Sequence, residues 1–222
     1  MASIIDLFAT RSATMQRVTL VQTKGLFNAI LPVILQYGAL IFLGRDILKK
    51  EHGKRPGGMG TGSTEEDMWT TGFDRTKLLC DRMVTQADCG IKCPDPVPLS
   101  IKCTKSSIAV NWGKNKEKID FQFIAPIMII WHKPKPKHAC ESGVYVVDPE
   151  WCQANIVLSS NNKTDYMVDD KQVVKMMEHA KEQGMFAPIT ALEDKDEYFV
   201  YRNGSQGHAW PRLKSDLKPE ST

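Results

Sequence analysis

The sequence predicts a single-pass membrane protein: one N-terminal transmembrane α-helix, then a linker and a small α+β domain. Three observations predict it. Residues 25–44 carry no charge and lie between Lys24 and Arg45. Residues 51–67, EHGKRPGGMGTGSTEED, are polar and Gly-rich, as a connector is rather than a core. Beyond them, short apolar runs bounded by turn residues surround one amphipathic helical pattern.

The first element is the uncharged run, with LFNAILPVILQYGALIFL at 26–43. At about 1.5 Å per residue, about 20 helical residues span roughly 30 Å, the thickness of a hydrocarbon core. The buried helix of a soluble domain usually shows a polar stripe, and here only Asn28, Gln36 and Tyr37 are clearly polar. Pro32 is compatible with spanning, because neighbouring groups can satisfy the carbonyl it frees. Asn28, Pro32 and Gln36 recur every four residues and share a face. A carboxamide turned to lipid lacks a partner, so this face is expected to pack on protein. Those three residues are the helix-packing candidates.

Residues 1–24 precede the run. They contain Arg11, Arg17 and Lys24, many small or hydroxylic residues, and one acid, Asp6. Ile4, Phe8, Met15 and Val18 fall near one helical face. An acid-poor, amphipathic, Arg-containing segment has the composition of organelle targeting. It is expected to be an uncleaved targeting segment, which places the chain in the mitochondrial inner membrane. A plasma-membrane or endomembrane location is the alternative. Basic residues after the run (Arg45, Lys49, Lys50, Lys54, Arg55) outnumber those before it, which favours a matrix or cytosolic C-terminal domain. Import with a stop-transfer helix would place that domain in the intermembrane space instead.

The linker occupies residues 45–67, basic and then Gly-rich. Gly58, Gly60 and Gly62 form a G-x-G-x-G run, but no strand precedes it and Glu65-Glu66 follow, so phosphate binding is not expected. The α+β domain covers 68–213, and a polar, flexible tail covers 214–222. Strands are expected at 107–112, 118–124, 127–132, 144–147, 155–158 and 198–201, with a hairpin turn at Gly113-Lys114-Asn115. Asp169 or Asp170 can cap a helix over 171–183 that Gly184 stops, its apolar face being Val173, Met176, Met177 and Ala180.

Six cysteines, Cys80, Cys89, Cys93, Cys103, Cys140 and Cys152, all follow the uncharged run. An even number on one side suits disulfides in an oxidising compartment. Buried thiols are the other reading. Cys80, Cys89, Cys93 and Cys103 are the metal-ligand candidates, but only Cys89 and Cys93 have the close spacing of a zinc pair. Cys93 and Cys103 enclose PDPVPLSIK, whose prolines forbid a helix between them. Asn162 and Asn203 begin glycosylation sequons in expected turns.

Net charge of +3, without a basic face interleaved with aromatics, excludes a nucleic-acid partner. No nucleophile elbow, zinc-protease helix or phosphate loop occurs, and the five histidines are scattered. No catalytic residue and no cofactor is therefore expected. The expected role is a non-catalytic accessory subunit of a respiratory or ATP-synthase complex, with other membrane subunits and the lipid bilayer as partners. The alternatives are a disulfide-bonded glycoprotein auxiliary to a channel or receptor, and a membrane-tethered metal or redox domain.

Overall fold

The computed structural model describes residues 16–52, 61–80, 87–104, 110–132, 140–161, 165–190, 192, 198–202 and 209–213. Two helices lead: α1 (Leu20–His52) and α2 (Thr61–Arg75). Then come β1 (Cys89–Ile91), β2 (Val97–Thr104), β3 (Val110–Gly113), α3 (Lys116–Gln122), β4 (Ile127–Trp131) and β5 (Gly143–Val147). The chain continues through α4 (Pro149–Asn155), β6 (Ser159–Asn161), β7 (Asp165–Val168), α5 (Asp170–Glu182) and β8 (Phe186–Pro188). A hairpin of β9 (Tyr198–Arg202) and β10 (Ala209–Leu213) is the last element described.

One long apolar helix near the N-terminus, with the length and composition to cross a membrane, is thus followed by a small α+β region. The helix starts before the uncharged run for a local reason. Thr19 N–H donates to Gln22 Oε1 at 2.9 Å, and Gln22 N–H donates back to Thr19 Oγ1 at 3.3 Å. That reciprocal capping box satisfies two donors that a helix start leaves orphaned. Pro32 lies on the outer side of α1, where the carbonyl of Asn28 can turn outward and the helix runs on.

The centre of the fold is a mixed five-stranded sheet in the order β1-β2-β4-β5-β8. Only the β2–β4 pair is parallel. IMIIW and GVYVV, the sequences of β4 and β5, are buried at every position. Uninterrupted apolar runs of this kind belong to strands covered on both faces. Met128, Ile130, Val144 and Val146 face α1 and α2. Ile127, Ile129, Tyr145 and Val147 face α5 and the small β3-β7-β6 sheet. Three layers result, and α1 is one of them. Leu26, Phe27, Ile30, Val33, Ile34, Ile41 and Phe42 form its inner face, all under 5% exposed. Half of its most apolar window is buried inside the protein.

Several local expectations change. Lys118–Ile124 is not a strand: its first part lies in α3, capped by Asn115, whose side chain accepts from Lys118 N–H at 2.9 Å. The alternation of Ile119, Phe121 and Phe123 imitates a strand, but the cap and the Lys116–Asp120 pair (2.5 Å) support a helical turn. Gly113-Lys114-Asn115 therefore leads into a helix rather than turning a hairpin. Asn155–Leu158 is the end of α4 and the loop after it. Asp148 caps that helix and Pro149 opens it, so the chain between the strands expected at 144–147 and 155–158 starts a helix. Of 107–112, the part from Val110 is strand β3. The stretch 45–67 is largely helical where described, since α1 runs to His52 and α2 starts at Thr61. The expected glycosylation sequons and the tail from 214 lie outside the described residues.

Gly143 gives a direct test of how closely the sheet is packed. A Cβ there would fall against the carbonyl oxygen of Ala187 and 3.0 Å from Pro188 Cα, both backbone atoms of β8. Gly143→Ala must therefore displace β8 from β5. A loss of about 2–3 kcal/mol is expected, seen as a lower urea midpoint with an unchanged slope.

Candidate functional site

The outer side of α1 collects the helix-packing candidates. Asn28, Pro32 and Gln36 are exposed together, in line with Gly25 and on the same helix as two large exposed apolar residues, Val21 (79%) and Leu35 (68%). The four-residue spacing thus does place them on one face, and it is the face turned away from the sheet. Between Lys24 and Arg45 that face holds no charge. Hydrogen-bonding capacity along it comes from the two carboxamides.

Gln36 also opens into a cavity of about 550 Å³ beside the β9–β10 hairpin. Trp210 forms its floor, with Tyr37 edge-on at 5.3 Å between ring centroids. The Arg75 guanidinium lies 4.7 Å from the Trp210 ring centroid, in cation–π contact. Sequence reasoning missed this corner. Its signal was present in AWPRL, but Pro211 argues against a strand unless that strand lies at an edge, as β10 does.

At its C-terminal end, α1 is held by charge. The Arg45 guanidinium pairs with Glu65 of α2, their side chains being 6% and 0% exposed. One residue on, Asp46 Oδ1 lies 3.0 Å from His132 Nε2, just past β4, and Phe42 packs edge-on to the His132 ring. At the other end, Val18 N–H donates to Ile124 O and Arg17 Nε to Phe123 O. Residues 17 and 18, read from sequence as part of the targeting-like segment 1–24, are thus tied to the α+β region.

Of the four metal-ligand candidates, three lie together and Cys103 lies apart. Leu79 bridges Ile91 and Cys80 N–H donates to Gly90 O, which places Cys80, Cys89 and Cys93 in one corner. Cys89 lies opposite Leu99 in the β1–β2 register, so Cys103 is four residues further along β2. At about 3.3 Å per residue, that is about 13 Å away. Cys140 and Cys152 belong to the opposite face of the sheet. Cys89, Cys93, Cys103, Cys140 and Cys152 are thiols, and burial pushes all five above the usual thiol range. A thiol held neutral is a poor nucleophile, since the thiolate is the reactive form. Among the described residues no three His, Cys, Asp or Glu side chains are grouped to hold a metal ion.

A second cavity, of about 590 Å³, lies between α2, β2, β3 and the start of α3. Glu66, Asp88, Lys102 and Lys118 line it, residues that no short motif connects. The available signal was Lys102, a charge that follows the buried run from Val97 to Ile101 in the same strand. The chain matches no protein-family model, no curated protein and no solved structure.

Proposed function

We propose that this chain is a non-catalytic accessory subunit of a mitochondrial inner-membrane complex of the respiratory or ATP-synthase kind. In this reading α1 docks on its neighbours through its outer face while its inner face stays on the sheet. The observation that carries the reading is that outer face: uncharged from Gly25 to Gly44, with Val21 and Leu35 largely exposed although the opposite side is fully packed. An apolar partner surface is its chemical complement. Composition of residues 1–24 supports the mitochondrial address. A membrane-crossing α1 would have to leave Met128, Ile130, Val144 and Val146 uncovered, which favours docking with the three-layer region intact.

Native electrophoresis in mild detergent, with mass spectrometry of co-migrating chains, is the test. Migration with an inner-membrane complex is expected, and migration alone overturns the reading. Within such a complex, replacing Asn28 and Gln36 together by Leu removes both carboxamides from the face. Interhelical hydrogen bonds contribute about 0.6–1 kcal/mol each, so the double variant should assemble about tenfold less well. Unchanged assembly of that variant would assign no role to the two carboxamides.

A further inference from the structure

The corner where α1, the end of α2 and β10 meet is built around a buried indole. Trp210 is 5% exposed, and Pro211 beside it is buried. Gly72 lets the ring settle against α2, since a Cβ there would come within 3.4 Å of it and within 3.3 Å of Val33 on α1. Tyr37 meets the edge of the ring and Arg75 its face. Stacking holds a guanidinium by its plane and leaves its N–H edge free to donate. Among the described residues no carboxylate pairs with Arg75.

Charge in this cavity wall is one-sided. The lining holds two guanidinium groups, Arg75 and Arg212, and no carboxyl. Arg212 already has an interaction of its own, so Arg75 is the charge on which the site rests. Asp74, next to it on α2, is exposed and outside the lining. The negative end of α2 is capped, because the carbonyls of Gly72, Phe73 and Asp74 accept from the N–H groups of Thr76, Leu78 and Lys77. Gln36 adds a carboxamide at the mouth, which opens onto the outer face of α1, uncharged from Gly25 to Gly44. Trp and Tyr favour the membrane–water boundary, and basic pockets beside membrane helices bind anionic lipid head groups. A zwitterionic head group would bring an ammonium with no carboxylate to meet it; an anionic one needs only the donors present.

We propose that this cavity binds the head group of an anionic phospholipid. Its phosphodiester sits on the Arg75 guanidinium and the Gln36 carboxamide, and its acyl chains leave beside Leu40 along α1. One guanidinium matches one phosphodiester charge, and a cavity of about 550 Å³ suits a group of that size. The site needs the membrane location of the reading above but no neighbouring subunit. Lipid binding by the isolated chain and co-migration with a complex are separate readouts, so either can fail alone.

The full chain in non-ionic detergent is titrated with dihexanoyl phosphatidylglycerol and followed by calorimetry. Binding at least about tenfold tighter than that of dihexanoyl phosphatidylcholine or inorganic phosphate is expected. Arg75→Gln should lose about tenfold. Lys77→Gln removes the same charge just past α2, outside the cavity, and should stay within about twofold. Arg75 and Lys77 are both exposed, so neither variant disturbs the core. Phosphatidylcholine bound equally well would make the cavity a general lipid groove, and inorganic phosphate bound equally well would make it a free-phosphate site. Equal losses from the two variants would reduce the attraction to surface charge. Each of these results overturns the proposal, as does absence of phosphatidylglycerol binding to the unaltered chain.

Discussion

Ile30→Asp is expected to unfold the α+β region, while Leu35→Asp, five residues further along the same helix, leaves its stability within about 0.5 kcal/mol. Ile30 is 0% exposed and sits among the residues that cover the central sheet, whereas Leu35 is 68% exposed. At Ile30 the exchange forfeits about 1.5–3 kcal/mol of apolar burial. It also leaves a carboxyl with no partner inside the core, at a further cost of several kcal/mol. Together these rival the whole stability of a typical domain, about 5–15 kcal/mol. Urea titration followed by tryptophan fluorescence reads the outcome, since Trp69, Trp112 and Trp131 are fully buried. A helix spanning a bilayer predicts a different pattern. Aspartate would then cost about 2.5–3.5 kcal/mol of insertion at either position, and the folded region would be indifferent to both. Equal effects of the two substitutions would therefore show that α1 does not cover the sheet.

The contrast between Ile30 and Leu35 also marks where sequence reasoning runs out. Local chemistry was readable. Asp169 caps α5 by accepting from Gln172 N–H at 2.8 Å, Gly184 ends the chain's turn past that helix at φ +74°, and Val173, Met176, Met177 and Ala180 are buried as their spacing predicts. The apolar runs of β4 and β5 were readable for the same reason, because burial on both faces leaves no polar alternation to look for. What an uncharged helix faces is a different kind of question. Both sides of α1 are apolar, so periodicity cannot say which one the sheet covers. That assignment depends on the parallel β2–β4 pairing and on α2 returning alongside, contacts distant in sequence. Asn28, Pro32 and Gln36 were legible as a face, while its direction was not. The cavity between α2, β2, β3 and α3 is a stronger case, because Glu66, Lys102 and Lys118 meet only through the topology.

Arg45 carries the last and second-largest expected effect. Read along the chain, it is the charge that ends an uncharged run; in the fold it is buried and paired with Glu65. Two charges out of water recover much of their desolvation through each other. Arg45→Met alone leaves the Glu65 carboxylate in a site with no exposed surface, and a loss of about 3–5 kcal/mol is expected. Glu65→Leu alone strands the guanidinium, at a similar cost. The double variant, Arg45→Met with Glu65→Leu, removes both charges and keeps comparable apolar volume. It should therefore be more stable than either single variant, and replacements of this type are often neutral. Denaturant titration of all four proteins gives the coupling energy directly, and additive losses would show that the pair is not one unit. The position of the pair explains why the effect reaches beyond its two residues. It clamps α1 to α2 at the level where Asp46 meets His132 beyond β4. Loss of the clamp should loosen the C-terminal end of α1, so in the proposed complex Arg45→Met should weaken assembly as well as folding, and the double variant should restore both.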